Sequence, residues 1–161
     1  MKSQLRKVFI IDDEPEYSTI YVDDLEDHSV KVTHYTDARL ARQHLRAHAE
    51  EYDVIVVDLI MPYISPGSEE EAIPDEDELP PDAYIEGGLA MGRWVLDAIP
   101  TSRKVLVLTN REPDAIRWTE EYRSRFDTFE IVTKRDCPAF QFYDYLVDFL
   151  EGDLIPTPAA T

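Results

Sequence analysis

Three stretches of the chain are apolar without interruption: Val8-Phe9-Ile10-Ile11, Val54-Ile55-Val56-Val57 and Val105-Leu106-Val107-Leu108. A strand with one wetted face alternates apolar and polar residues. Continuous runs rich in β-branched residues predict strands covered on both faces, as in a parallel sheet. With two weaker runs they predict five strands, at 7–11, 30–35, 54–58, 104–109 and 129–133. Between and after them, helical spacing predicts helices near 16–27, 37–50, 88–99, 113–126 and 138–151. In the second helix Ala38, Ala41, Leu45 and His48 share the face expected to pack, with Arg39, Arg42 and Arg46 elsewhere. Five strand–helix alternations imply an α/β, doubly wound sheet with right-handed crossovers. Chemistry in such sheets gathers beyond the carboxyl ends of the strands, here residues 12–14, 58–62, 109–112 and 134–136.

The last helix carries more apolar surface than one sheet face needs. Ala139, Phe142, Leu146 and Phe149 form one stripe, and Phe140, Tyr143, Val147 and Leu150 a second beside it. The second stripe is expected to meet a partner protein or a second copy of the chain, as a homodimer.

Residues 63–86 interrupt the regular alternation. They hold nine acidic side chains and no basic one, half of the net charge of −18. A connection of that length and composition reads as an acidic insertion, either solvated or functional. Residues 152–161, with Pro156 and Pro158, read as a C-terminal tail, which leaves one domain over 1–151 and no output domain after it. A charge of −18 repels nucleic acid and anionic membrane, so neither is an expected partner. The longest apolar run near the start is four residues, too short for a signal core or a membrane span. One cysteine, Cys137, excludes an internal disulfide and suits a reducing, cytoplasmic setting.

At the predicted carboxyl edge, Asp12 and Asp13 follow the first strand and Asp58 ends the third. Three carboxylates brought together repel one another unless a hard cation lies between them, and Mg²⁺ prefers such oxygen ligands. Thr109 ends the fourth strand and Lys134 follows the fifth. Acidic metal nest, hydroxyl and ammonium together suit phosphoryl transfer to a carboxylate.

In these residues the sequence resembles the response-regulator receiver family. The match lies in Val8-Phe9-Ile10-Ile11-Asp12-Asp13-Glu14-Pro15, Val54-Ile55-Val56-Val57-Asp58-Leu59-Ile60-Met61-Pro62, Leu106-Val107-Leu108-Thr109 and Lys134. The resemblance implies a flavodoxin-like (βα)5 fold with strand order 2-1-3-4-5. It implies Asp58 as phosphoacceptor, and Mg²⁺ on Asp13, Asp58 and the Ile60 carbonyl, with Asp12 acting through water. Thr109 and Lys134 would bind the transferred phosphoryl group. A histidine kinase, phosphotransfer protein or small acyl phosphate would be the donor, and a downstream protein would receive the signal.

The sequence departs from the family pattern at three positions. Arg135 stands where a cis proline usually follows the lysine, and a non-proline cis bond costs about 2.5–4 kcal/mol, so a trans bond is expected. Ile131 replaces the switch aromatic, and Asn110 the small residue after the hydroxyl. Arg135, Ile131 and the acidic insertion favour a rival reading, a phosphorylation-independent scaffold or protein-binding module on the same fold, while Asp12, Asp13, Asp58, Thr109 and Lys134 oppose it. A phosphatase of the haloacid-dehalogenase type needs a second aspartate where Ile60 stands, and Asp12-Asp13-Glu14 would repel a flavin phosphate. With Ile60 and Arg111 flanking the site, neither of which orients water, slow loss of the phosphate is expected. His44 and His48 have metal-ligand spacing without a third ligand and are expected to be ordinary helix residues. Cys137, near a helix start, is expected to be an inert thiol.

Overall fold

The computed structural model describes residues 4–59, 89–109, 119–137 and 139–152, with the side chains of 15, 17, 89, 90, 119 and 139 left aside. Ile60, Asn110, Arg111, the 63–86 insertion, the start of the fourth predicted helix and the tail beyond 152 lie outside these residues.

The strands are β1 (Lys7–Ile11), β2 (Lys31–Tyr35), β3 (Val54–Asp58), β4 (Lys104–Thr109) and β5 (Thr128–Thr133). The helices are α1 (Pro15–Asp27), α2 (Ala38–His48), α3 (Leu89–Leu96), α4 (Thr119–Arg125) and α5 (Phe142–Glu151). Every pairing is parallel, and the order is β2-β1-β3-β4-β5. This is the (βα)5 arrangement that the alternation predicts.

The continuous apolar runs divide residue by residue between two cores, because successive strand side chains point to opposite faces. Phe9, Ile11, Ile55, Val57, Val105 and Val107 pack with α2, α3 and α4. Val8, Ile10, Val54, Val56, Leu106 and Leu108 pack with α1 and α5. The central strands β1, β3 and β4 finish side by side, and the acidic residues begin at their carboxyl ends.

Helix α2 corrects the sequence reading at two places. His48 is exposed beside Glu51, and the buried position at the end of that face belongs to Ala49, in a 3-10 turn (Ala49–Glu51). A 3-10 turn advances 120° per residue, so the face rotates by the end of the element. Arg39, expected at the surface, is 3% exposed. Its guanidinium lies 3.3 Å from Asp37, whose side chain caps the helix by accepting the Arg39 amide at 2.9 Å. Arg42 is held in turn over the Trp94 ring (4.7 Å) and donates to the Trp94 carbonyl at 2.7 Å, tying α2 to α3.

Helix α5 begins later than expected, after a 3-10 turn (Ala139–Gln141), and ends at Gly152, whose φ of 75° suits a residue without a side chain. Phe142, Leu146, Val147 and Phe149 are buried. Val147 of the second stripe therefore belongs to the core, while Phe140 is 81% exposed.

Candidate functional site

The acidic residues arise from how β1 and β3 end. Asp12 leaves β1 with its amide donating to the Tyr35 carbonyl of β2 at 3.1 Å. Its Oδ1 accepts the Glu14 amide at 2.8 Å, which turns the chain into α1, where Pro15 occupies the first helical position. Asp58 is the last residue of β3, beside Leu108 of β4. Neighbouring parallel strands bring these ends together. One carboxylate oxygen from each of Asp12, Asp13 and Asp58 lies within 4.8 Å of the others.

Lys134 follows β5 and is set by its backbone, with its amide donating to the Thr109 carbonyl at 2.8 Å. Its Nζ stands 3.2 Å from Asp12 Oδ2 and 3.3 Å from Asp58 Oδ2. The described peptide bonds, Lys134–Arg135 included, are trans, and the ammonium reaches both carboxylates. Thr109 ends β4 fully buried, in register with Thr133. Thr133 donates its hydroxyl to Asp136 at 2.8 Å, closing the turn that carries Lys134.

The electrostatics follow from enclosing these charges. Asp58 is 5% exposed, and burial first, then the charge of Asp12, pushes its carboxyl up to about 8, against the opposing pull of Lys134. Asp13, half-buried, is also raised, by burial and by Asp12. Burial works against the Lys134 ammonium, but the charges of Asp58 and Asp12 outweigh it and hold it above its ordinary value.

A raised folded-state carboxyl means that the native protein binds a proton the unfolded chain has released, so stability falls as pH rises from about 4 toward 8. Without metal, Asp58→Asn is therefore expected to stabilise the protein at pH 8, on the order of 2 kcal/mol. The gain shrinks by pH 5.5. Thermal melts of both proteins in EDTA at the two pH values measure it; equal melting points at pH 8 would contradict it.

The three carboxylates suit a small hard cation. Mg²⁺ binds oxygen at 2.0–2.1 Å, so two ligand oxygens on opposite sides stand about 4.2 Å apart. The three carboxylate oxygens, within 4.8 Å of one another, are close to that spacing. The proposed Ile60 carbonyl ligand lies outside the described residues.

Two contributors escaped the sequence reading. The Tyr35 carbonyl anchors Asp12, a backbone contact that no side-chain motif signals. Tyr21 of α1 packs edge-on against Phe142 at 4.6 Å. Burial pushes its phenol up to about 12, with Cys137, Lys134, Asp12 and Asp58 close enough to act on it. Burial likewise pushes the Cys137 thiol up to about 12, which makes it a poor nucleophile.

No protein-family model and no curated protein sequence matches the chain. Solved structures do. A CheY-like response regulator receiver domain protein from Methanospirillum hungatei aligns over 93% of this chain and 97% of its own, with TM-score 0.60 and 12% identity. A Francisella response regulator receiver domain aligns over 91% and 97%, with TM-score 0.54 and 20% identity. The RcsB response regulator of Salmonella typhimurium, studied for DNA interaction, aligns over 98% of this chain and 65% of its own, with TM-score 0.62 and 19% identity. The chain has the response-regulator receiver fold. Among the described residues, no helix is long and apolar enough to cross a membrane.

Proposed function

We propose that the protein is a signalling receiver that accepts a phosphoryl group on Asp58 in a Mg²⁺-dependent reaction and passes the signal by docking a partner or relaying the phosphoryl group. It works as a signalling domain and not as an enzyme acting on a separate substrate, in a cytoplasmic setting. The observation that carries this reading is the convergence of Asp12, Asp13 and Asp58 at one sheet edge, with the Lys134 ammonium within 3.3 Å of two of them.

An Asp58 carboxylate oxygen attacks phosphorus, and the bond from phosphorus to the donor's oxygen or nitrogen breaks, its electron pair leaving with the donor. Asp12, Asp13 and Asp58 would hold Mg²⁺, which when bound offsets charge on the phosphoryl oxygens. Lys134 moves its contact from the Asp58 carboxylate to a phosphoryl oxygen, and the Thr109 hydroxyl donates to another. A kinase phosphohistidine, a phosphotransfer protein or an acyl phosphate is the donor class. Phe140 and the half-buried Tyr143 and Leu150 on α5 are the candidate surface for a partner or a second copy.

Incubation with Mg²⁺ and acetyl phosphate tests the chemistry. A mass increase of one phosphoryl group is expected in the wild type and not in Asp58→Asn; its absence from the wild type refutes the reading. One observation favours a second reading, a phosphorylation-independent scaffold. Ile131 is buried among Phe129, Tyr122 and Val107 and has no ring to exchange between buried and exposed positions. Partner affinity that is unchanged by phosphorylation would select it.

A further inference from the structure

Away from the acidic edge, α2 carries a cluster of titratable rings that phosphoryl transfer does not use. His44 and His48 stack with centroids 4.8 Å apart. The half-buried His44 lies nearly parallel to the fully buried Phe9, at 5.7 Å and 11°, and meets the Tyr35 ring at 5.2 Å. Its Nε2 shares a 2.6 Å hydrogen bond with the Tyr52 hydroxyl. The outer ring, His48, is exposed, with Nδ1 2.5 Å from a Glu51 carboxylate oxygen.

We propose that this stack is a proton-sensitive latch: neutral His44 holds α2 on the β1–β2 edge of the sheet, and a proton on His44 loosens it. The groups facing His44 make the neutral form the stacking form. From its own helix comes His48, which is in contact with Glu51. From the following turn come Glu51 and Tyr52, and from β2 Tyr35. From β1 comes Phe9, with Lys7 farther along the same face, paired in register with Lys31. A positive charge on His44 would stand 4.8 Å from the His48 ring and against the apolar face of Phe9, with the Glu51 carboxylate already in contact with His48.

Burial first, then His48, hold His44 below the ordinary histidine value, with Glu51 partly opposing. Between pH 6.5 and that lower value the loosened state binds the proton and the latched state does not. The latch therefore weakens as pH falls through this window. The effect extends to the acidic edge through Tyr35, whose ring touches Phe9 and His44 while its carbonyl accepts the Asp12 amide. The latch stands independently of the phosphoryl-transfer reading, since it invokes none of the site's carboxylates.

Amide hydrogen exchange and histidine ring titration by NMR, on the full chain from pH 7.5 to 5.0, test the latch. The His44 ring should titrate below the ordinary histidine range. Between pH 6.5 and that midpoint, α2 protection, corrected for intrinsic rates, should fall by up to about tenfold per pH unit and level off below it, while α5 keeps its own. His44→Phe keeps a stacking ring and takes no proton, so its α2 protection should be flat with pH. His48→Ala, at an exposed position, should raise the His44 midpoint. The latch is refuted if α2 follows α5 at every pH, if the loss persists in His44→Phe, if His48→Ala leaves the midpoint unmoved, or if His44 titrates at or above the ordinary histidine range.

Discussion

Lys134→Ala is expected to lower the rate of phosphoryl incorporation from acetyl phosphate by about 10²–10³-fold, while Asp58 remains in place to receive the group. The ammonium lies 3.3 Å from the attacking carboxylate and 3.2 Å from Asp12, where charge builds as phosphorus is transferred. Removing one preorganised charged donor from such a site costs about 3–4 kcal/mol of barrier. The same change strips a cation from a buried pair. Its stability cost should reach about 2 kcal/mol in EDTA, less than the 3–5 kcal/mol of a buried charge left wholly unpaired. The difference arises because Asp58, already raised to about 8, can take a proton instead. Mg²⁺ should recover most of the lost stability and little of the lost rate, since the ion replaces the charge without replacing the lysine's position. Rate measurements by mass spectrometry and melts with and without Mg²⁺ separate these effects; a wild-type rate in Lys134→Ala would remove the lysine from the mechanism.

Gly92→Ala is expected to be the most damaging single methyl addition in α3. A Cβ at this position would stand 2.0 Å from the Leu59 carbonyl oxygen and 2.8 Å from its carbonyl carbon. Both are backbone atoms of the residue after Asp58, so no side chain can swing aside. Glycine is required here by close approach: α3 rests directly on the end of β3, where Leu59 donates its amide to Leu108 at 3.0 Å. In an unobstructed helix, alanine for glycine adds about 1 kcal/mol of stability. Here overpacking reverses the sign and should cost about 3 kcal/mol, roughly 6–12 °C in Tm for a domain of this size. Because the displaced backbone carries Asp58, Mg²⁺-dependent stabilisation should also fall. A variant that melts at or above the wild-type temperature would show that the helix does not sit so close.

The architecture was legible because its signal is local and repeated. An uninterrupted run such as Val54-Ile55-Val56-Val57 has no polar residue to turn toward water, so both its faces must be covered, and packing into two cores follows from the alternation of strand side chains. Element ends were less legible. The start of α5 and the end of α2 pass through 3-10 turns, which shift a face by a residue without any change in composition. Arg39 was misplaced for a related reason: a charged side chain reads as surface until a partner is seen, and Asp37, two residues away, supplies one inside the fold.

The class of fold and the chemical types at the strand ends were readable from short segments, because strand period and residue chemistry are local properties. The sequence placed Asp12, Asp13, Asp58, Thr109 and Lys134 at the edge where strands finish. Their distances came from the packed fold: Lys134 spans two carboxylates over a trans bond, Tyr35 holds Asp12 by its carbonyl, and His44 meets Phe9 and Tyr52. Except for His44 and Tyr52, such contacts join residues on different strands and helices, and their geometry is set by how helices settle on the sheet, which no local pattern encodes.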